Sequence, residues 1–232
     1  KIFTQKYPQN SNAWNMLGNL LFDQEEYSKK PKNYTKAIEA YERSYINDKN
    51  NIALIIRLGH LYSENNFFTK AIGIYSVSKK IFPNENILFF NSGNTYVKMK
   101  EYEKAEDEYT ESIRLNEKHF DTYMNLGKLY KDVNKIDLSQ NIYKKMISLE
   151  PNNPAGYRGL GAIQVLQTNL INAERTLKKS LEIDPHNSDA CQNLSICYFR
   201  LGKTEKGVNF SKENVGVIKF NIEEKLGNFE II

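Results

Sequence analysis

Apolar residues recur along most of this chain at helical spacing, at positions i, i+3, i+4 and i+7. That spacing predicts amphipathic helices, each of which buries one face. Short polar turns, such as the one at 64–66, separate the apolar stretches, and a second kind of break contains proline, as at Pro151 and Pro185. Because proline cannot continue a helix interior, these breaks mark the ends of helix pairs. The pattern therefore predicts an all-α chain of helix-turn-helix units.

A short signature returns about every 34 residues, a period that is typical of repeat proteins. It is clearest in the segment that contains Leu58-Gly59, Tyr62, Ala71 and Tyr75. Later copies carry Gly93, Tyr96, Ala105, Tyr109, Gly127, Tyr130, Tyr143, Gly161 and Ala173 at the corresponding positions. The signature resembles the tetratricopeptide repeat family over roughly residues 11–214.

This resemblance implies a right-handed superhelical solenoid, in which the first helix of each repeat (helix A) lines a concave surface and the second (helix B) packs behind it. The predicted units are the end of a preceding partial repeat at 1–10, six repeats at 11–51, 52–85, 86–119, 120–153, 154–187 and 188–214, and a capping segment or the start of a further domain at 215–232. One helix pair cannot bury its apolar face alone, so the repeats are expected to stack.

Small residues are expected to bring helix A and helix B of one repeat close together, as with Gly59 and Ala71. In the sixth repeat the pair becomes Ser195 and Gly207, which is typical of a degenerate terminal repeat. The large tyrosines of the signature are expected to fill the space between repeats.

The first repeat carries an insertion at 24–36, between its two helices. One interpretation is a tolerated surface loop, because lengthening such loops costs little free energy. The other is a basic projection that meets an acidic partner. Its lysines are Lys29, Lys30, Lys32 and Lys36.

Both ends of the chain depart from the repeat pattern. Phe3 and Pro8 have the spacing of a repeat's last turn, which predicts that the chain begins inside a helix B. Beyond residue 214, Asn221 and Glu224 predict a capping box that opens a one-turn helix ending at Gly227.

Composition narrows the classes of function. The chain is 26% charged with a formal net charge of +4 and a mean hydropathy of -0.61, and no apolar run reaches the roughly 18 residues of a membrane span. A mild excess of positive charge without a basic block argues against nucleic acid as a partner, because phosphate binding needs a clustered basic face.

The two cysteines bear on the compartment. Cys191 and Cys197 point to different faces of one helix, which excludes a disulfide framework and favours a reducing compartment. We therefore expect a cytoplasmic protein, with the periplasm as the alternative.

No motif for catalysis or metal binding is present in the sequence. The three histidines, His60, His119 and His186, lack a second ligand at i+3 or i+4. There is no Gly-x-Ser-x-Gly motif and no plausible Cys–His pair. We expect no enzymatic activity, no cofactor and no metal.

The candidate binding site is the concave face of the helix A series, defined by residues on either side of each Leu-Gly pair. These residues are Asn15, Asn19, Arg57, His60, Asn91, Asn94, Asn125, Lys128, Arg158 and Asn193. A carboxamide offers both hydrogen-bond donors and an acceptor. A row of asparagines can therefore bind a peptide backbone without contacts that depend on the peptide's side chains.

Asn91, Asn125 and Asn193 occupy positions that resemble the asparagine ladder in the repeat arm of O-linked N-acetylglucosamine transferases. The other repeats have Met16, Arg57 and Gly159 there, and the chain is rich in asparagine throughout, so chance placement is an open alternative. No three consecutive repeats carry the residues of the two-carboxylate clamp that chaperone-binding repeats use. The C-terminal tails of chaperones are therefore not expected as ligands.

These features favour a scaffold or adaptor that binds an extended peptide or a helix of another protein. Two alternatives stay open at this point. The chain could be the substrate-recruiting arm of a larger enzyme, such as a glycosyltransferase, whose catalytic domain lies elsewhere. It could also be a subunit of a larger complex, such as a secretion, pilus or ciliary machine.

Overall fold

The computed structural model describes residue 6 and residues 8–26, 34–214, 218–220 and 229–231, with side chains described through residue 211. Most of the predicted insertion, 27–33, and most of the predicted partial repeat at 1–10 lie outside this part. The one-turn helix predicted to end at Gly227 lies outside it as well. The boundaries predicted for the repeats stay a prediction.

The described chain forms twelve helices and two short strands, divided between two compact units. The first unit, Lys1–His119, contains α1 (Ser11–Glu26), α2 (Thr35–Asn47), α3 (Ile52–Glu64), α4 (Phe68–Ile81), α5 (Asn86–Lys98) and α6 (Tyr102–Leu115). The second unit, Phe120–Ile232, contains α7 (Phe120–Asp132), α8 (Ile136–Leu149), α9 (Pro154–Leu166), α10 (Leu170–Ile183), α11 (Ser188–Arg200), α12 (Thr204–Asn214), β1 (Ile218–Phe220) and β2 (Phe229–Ile231). This architecture confirms the all-α repeat fold.

The helices are organised as six pairs, α1–α2 to α11–α12, and each helix packs most extensively against the other member of its pair. First helices of neighbouring pairs also contact each other, α3 with α5 in the first unit and α9 with both α7 and α11 in the second. Each unit is therefore a stack of helix pairs, in which the first helices form one layer.

The turn within five of the pairs contains one residue in the left-handed region, with φ between 58° and 73°. These residues are Asn66, Lys100, Asn134, Thr168 and Gly202. The next amide closes the helix end by donating to the carbonyl five residues back, as Phe67 N does to Tyr62 O at 2.8 Å. The same backbone geometry thus recurs at every described turn of this type, although only one of the five residues is glycine.

Asparagines in the breaks between pairs cap the helices that follow. The Oδ1 atoms of Asn51 and Asn187 accept from the backbone N–H three residues on, at 3.0 and 3.1 Å, and Asn153 accepts two residues on at 3.0 Å. Such caps each stabilise a helix by about 0.5–2 kcal/mol. Part of the asparagine content of this chain therefore serves helix initiation.

The glycines of the signature lie against tyrosine rings of the same pair, which corrects the expectation that those tyrosines only fill the space between repeats. A Cβ atom on Gly93 would lie 2.6 Å from Cε1 of Tyr109, and Gly59 has the same relation to Tyr75. Tyr143 differs, because it lies against Gly127 of its own pair and also against Gly159 of the next. Each glycine therefore provides the room for an aromatic ring between two helices.

A buried serine recurs near the end of the second helix in four pairs. These serines are Ser44, Ser78, Ser112 and Ser180. The Oγ atoms of Ser44 and Ser180 donate to the carbonyls of Ser11 and Pro154 at 2.9 Å, which joins the end of a second helix to the start of the first helix of its own pair. This periodic signal is visible in the sequence but was not part of the prediction.

The end of the chain forms a short antiparallel ladder, in which Ile218 pairs with Ile231 and Phe220 with Phe229. Cys191 and Cys197 are both buried and unbridged on α11, and burial raises the pKa of each thiol. Within the described residues, no helix is both long enough and apolar enough to cross a membrane.

Candidate functional site

Asn19, Tyr41 and Arg57 form a hydrogen-bonded cluster, which we call the Arg57 cluster, on three helices of the first unit. Tyr41 donates to Oδ1 of Asn19 at 2.9 Å, and Nη1 of Arg57 donates to the same Oδ1 and to the Tyr41 hydroxyl, the latter at 3.3 Å. The Tyr41 ring reaches this position because Gly18 has no side chain to block it. Sequence reasoning named Asn19 and Arg57 but missed Tyr41, which joins them.

Arg57 is exposed, and both of its hydrogen-bond partners in the cluster are neutral. The described residues include no carboxylate in an ion pair with it. A guanidinium has five N–H donors in a planar fork, so most of its donors stay available for a ligand. The cluster therefore holds a positive charge in a fixed orientation at the surface.

Tyrosine hydroxyls occupy corresponding places in the next two pairs. Tyr109 donates to Oδ1 of Asn94 at 2.6 Å, as Tyr41 does to Asn19. The hydroxyl of Tyr75 is buried without a hydrogen-bond partner among the described residues, because His60 stands where the first and third pairs have asparagine. His60 instead lies 3.7 Å from Glu64.

Replacing His60 with asparagine is expected to stabilise the protein by about 1 kcal/mol, since a buried hydroxyl would gain the acceptor it lacks. Chemical denaturation measures the effect. The matched control is the same replacement in a Tyr75→Phe background, where no hydroxyl is present and no gain is expected. An equal gain in both backgrounds would show that Tyr75 is not involved.

Asn91 and Asn193 orient their carboxamides in the same way. Nδ2 of Asn91 donates to the Ile87 carbonyl at 2.9 Å, and Nδ2 of Asn193 donates to the Asp189 carbonyl at 2.8 Å. Because a carbonyl can only accept, the amide nitrogen must face it. The Oδ1 atom is then left to accept from a ligand, such as a peptide N–H.

In the second unit, Arg158 on α9 forms an ion pair with Asp189 on α11, with a distance of 3.0 Å between Nη1 and Oδ2. Asn125 is half-buried and Lys128 is exposed, both on α7. Asp189 was missed by sequence reasoning, although its place one turn before Asn193 could have identified it. Unlike Arg57, Arg158 is therefore already neutralised by a carboxylate.

The structure brings together some of the candidate residues and separates others. Asn19 contacts Arg57 directly, whereas Asn15 has no described contact with the Arg57 cluster. Glu64 accepts from Lys98 at 2.7 Å and lies near His60, so an acidic group adjoins that candidate position. In the described part of the chain, no group of three or more His, Cys, Asp and Glu side chains could hold a metal ion.

Burial raises the pKa of two tyrosine hydroxyls that lie near candidate arginines. It raises the pKa of Tyr41, an effect that the neighbouring Arg57 partly opposes. It raises the pKa of Tyr143 to about 12, again against the influence of an arginine, Arg158. Because Arg57 donates to the Tyr41 hydroxyl, that hydroxyl donates in turn to Asn19, and Oδ1 is the Asn19 atom that faces it.

Comparison with known families identifies the repeat type directly for part of the chain. Residues 88–119 and 120–153 match the family model of a tetratricopeptide repeat. No curated protein matches the chain in sequence.

Solved structures share the fold over most of the chain. YrrB, described as a tetratricopeptide repeat protein with an unusual peptide-binding site, is 20% identical with a TM-score of 0.56, covering 76% of this chain and 91% of its own. MamA is 22% identical with a TM-score of 0.61, covering 75% and 92%. A tetratricopeptide repeat protein from Parabacteroides merdae is 16% identical with a TM-score of 0.64, covering 85% and 78%. The chain thus has the tetratricopeptide repeat fold.

Proposed function

We propose that this protein is a non-catalytic scaffold that binds an extended peptide segment of a partner protein on the first-helix layer of its repeats. The observation that carries the proposal is the Arg57 cluster. An exposed guanidinium, held in place by Asn19 and Tyr41 and without a described carboxylate partner, is suited to a peptide carbonyl or carboxylate.

Carboxamides on the first helices of each unit support this proposal. Asn91 and Asn193 each direct Nδ2 at their own helix, which leaves Oδ1 for a backbone N–H of the ligand. A peptide in extended conformation presents such N–H groups along its length, and contacts to them do not depend on its sequence. Within each unit, such a carboxamide therefore fits backbone recognition of the kind that an asparagine ladder provides.

One of the solved structures that share this fold supports this class of ligand. YrrB is described as having a peptide-binding site, and its fold is shared over 76% of this chain. Tetratricopeptide repeats present binding surfaces on a scaffold of stacked helices, which suits peptides better than small substrates.

Replacing Arg57 with glutamine, together with Asn91→Ala and Asn125→Ala, is expected to weaken peptide binding by about tenfold or more. The reason is that each lost hydrogen bond contributes about 0.5–1.5 kcal/mol. Ligands are obtained by selecting a displayed library of random peptides on the unmodified protein, and isothermal titration calorimetry of the selected peptides then measures Kd.

The control for this experiment is Thr110→Ala, at an exposed position on the second helix α6. It is expected to leave Kd unchanged. Circular dichroism verifies that the triple variant stays folded. If the triple variant binds every selected peptide as tightly as the control does, the first-helix layer is not the binding site.

A further inference from the structure

A cavity of about 420 Å³ lies in the second unit among α8, α9 and α10, on residues that the proposed peptide site does not use. Ile147, Tyr157 and Leu160 supply its apolar surface, and Thr176 forms part of its wall. Its size falls within the range of about 300–1,000 Å³ that is typical of ligand pockets.

In the first unit, the space that corresponds to this cavity is occupied by an ion pair. Two repeats earlier, Lys79 stands at the position of Ile147, Glu108 at that of Thr176, and Phe89 at that of Tyr157. Lys79 forms a largely buried ion pair with Glu108, and its Nζ lies 4.6 Å from the centre of the Phe89 ring.

In two other helix pairs, a larger side chain stands at the position that corresponds to Thr176. Ile74 stands at the position of Thr176 in the second pair and packs in a core with Tyr45. Phe210 stands there in the sixth pair and packs in a core with Leu181. Thr176 is smaller than either of these residues, so it fills less of the corresponding space in the fifth pair.

The rim of the cavity is positively charged. Arg175 makes no hydrogen bond or ion pair with any residue that the structure describes, and the Nζ of Lys144 donates only to Oε1 of Gln140, at 3.2 Å. Lys179 is paired with Glu182 at 2.9 Å. Three cations and one carboxylate thus surround an apolar floor, and two of the cations lack an acidic partner.

We propose that this cavity is a second binding site, which takes a bulky apolar side chain of a partner peptide whose neighbouring residues are acidic. The apolar side chain contacts Ile147, Tyr157 and Leu160, while a carboxylate before or after it pairs with Arg175 or Lys144. The hydroxyl of Tyr157, which has no described partner, is placed to donate to the same carboxylate.

A peptide fits this site better than a small molecule does. Ligand pockets bury about 70–90% of a small ligand's surface, whereas Tyr157, Ile147 and Thr176 are only half-buried and Arg175 is exposed. A peptide that crosses between α8 and α10 needs to bury only one side chain, and its flanking residues stay at the surface beside the cations. The charge of the rim then selects acidic neighbours.

The test selects a displayed library of random peptides on the whole protein after depletion on the variant Thr176→Phe. That variant introduces the residue found in the sixth pair and fills the cavity. The recovered peptides are expected to share a large apolar residue flanked by Asp or Glu. A second variant, Arg175→Glu, reverses an exposed charge without filling the cavity. It is expected to lower the affinity of the recovered peptides about fivefold.

The triple variant of the first-helix layer, Arg57→Gln with Asn91→Ala and Asn125→Ala, separates the two sites. It is expected to bind the recovered peptides as tightly as the unmodified protein does. Recovery of the same peptides from the protein and from Thr176→Phe would overturn the proposal, as would peptides without acidic neighbours or an affinity that Arg175→Glu does not change. If phenylacetate competes at the same concentration as the peptides, the occupant is a small carboxylate and the assignment of a peptide is wrong.

Discussion

Replacing Gly93 with leucine will destabilise the first unit by about 1–3 kcal/mol or more, the usual cost of overpacking a core. Even the first carbon of a side chain would lie 2.6 Å from Cε1 and 2.7 Å from Cδ1 of Tyr109, so the ring or the helix must move. Tyr109 is 1% exposed, which leaves it no space to retreat. Denaturant unfolding, followed by circular dichroism, measures the loss.

Gly73 provides a matched control in the same unit. It also lies inside a helix, but a Cβ atom there would have no neighbour within 4 Å. Gly73→Leu is expected to stabilise the protein by about 0.5–1 kcal/mol, because glycine is a poor helix former and the added side chain meets open space. If both substitutions shifted the unfolding midpoint in the same direction, the contact between Gly93 and Tyr109 would not explain the effect.

Truncating Tyr143 to alanine is expected to destabilise the second unit by about 3–5 kcal/mol, the range for removing a large buried ring. Tyr143 is 5% exposed and lies between Gly127 of α7 and Gly159 of α9. Neither glycine has a side chain that could move into the vacated space, so the cavity would stay open. Equilibrium unfolding in urea gives the change in free energy.

A double-mutant cycle tests this explanation. Gly159→Ala alone is expected to be destabilising, because its Cβ would overlap the Tyr143 ring. In the Tyr143→Ala background the same methyl group fills part of the cavity, and it should recover stability. Truncation of Ile171 to alanine, in the same unit and 73% exposed, serves as the control and is expected to cost less than about 0.5 kcal/mol. Additive effects of Tyr143→Ala and Gly159→Ala would refute the proposed packing.

The fold could be predicted because helical periodicity and repeat periodicity point to the same structure. Signature positions such as Gly59 and Tyr75 recur at a constant distance, and the structure places them in corresponding contacts. The contact partner of the glycine was predicted less well. Spacing alone shows that Gly59 and Ala71 are small, but not that the ring of Tyr75 occupies the room that Gly59 leaves.

The candidate binding residues were chosen from sequence position alone, and they stay predictions. Position identified Asn19 and Arg57, which contact each other directly, but it did not show that the Tyr41 hydroxyl, on another helix, bonds to both. The ion pair between Arg158 and Asp189 likewise joins two different repeats. Such pairs depend on side-chain orientation across neighbouring helices, which a signature read within one repeat does not contain.

The cavity beside Thr176 could not be found from the signature either. The residues at this position are Ala40, Ile74, Glu108, Ile142, Thr176 and Phe210 in the six pairs, so the size of the side chain there does not by itself show where space is left. The sequence shows this variation, but which helices enclose the position becomes clear only from the packing. Comparing equivalent sites between the repeats of a single chain then shows which one is left open.

The two buried thiols on α11 provide a chemical reporter within the fifth and sixth pairs. Cys191 and Cys197 are 2% and 0% exposed, and the Sγ of Cys197 donates to the Leu170 carbonyl at 3.1 Å. An alkylating reagent reacts with the thiolate and needs access to it, so both sulfurs are protected while α11 stays packed. The rate of alkylation in native buffer therefore measures how often this end of the repeat array opens, without any introduced label.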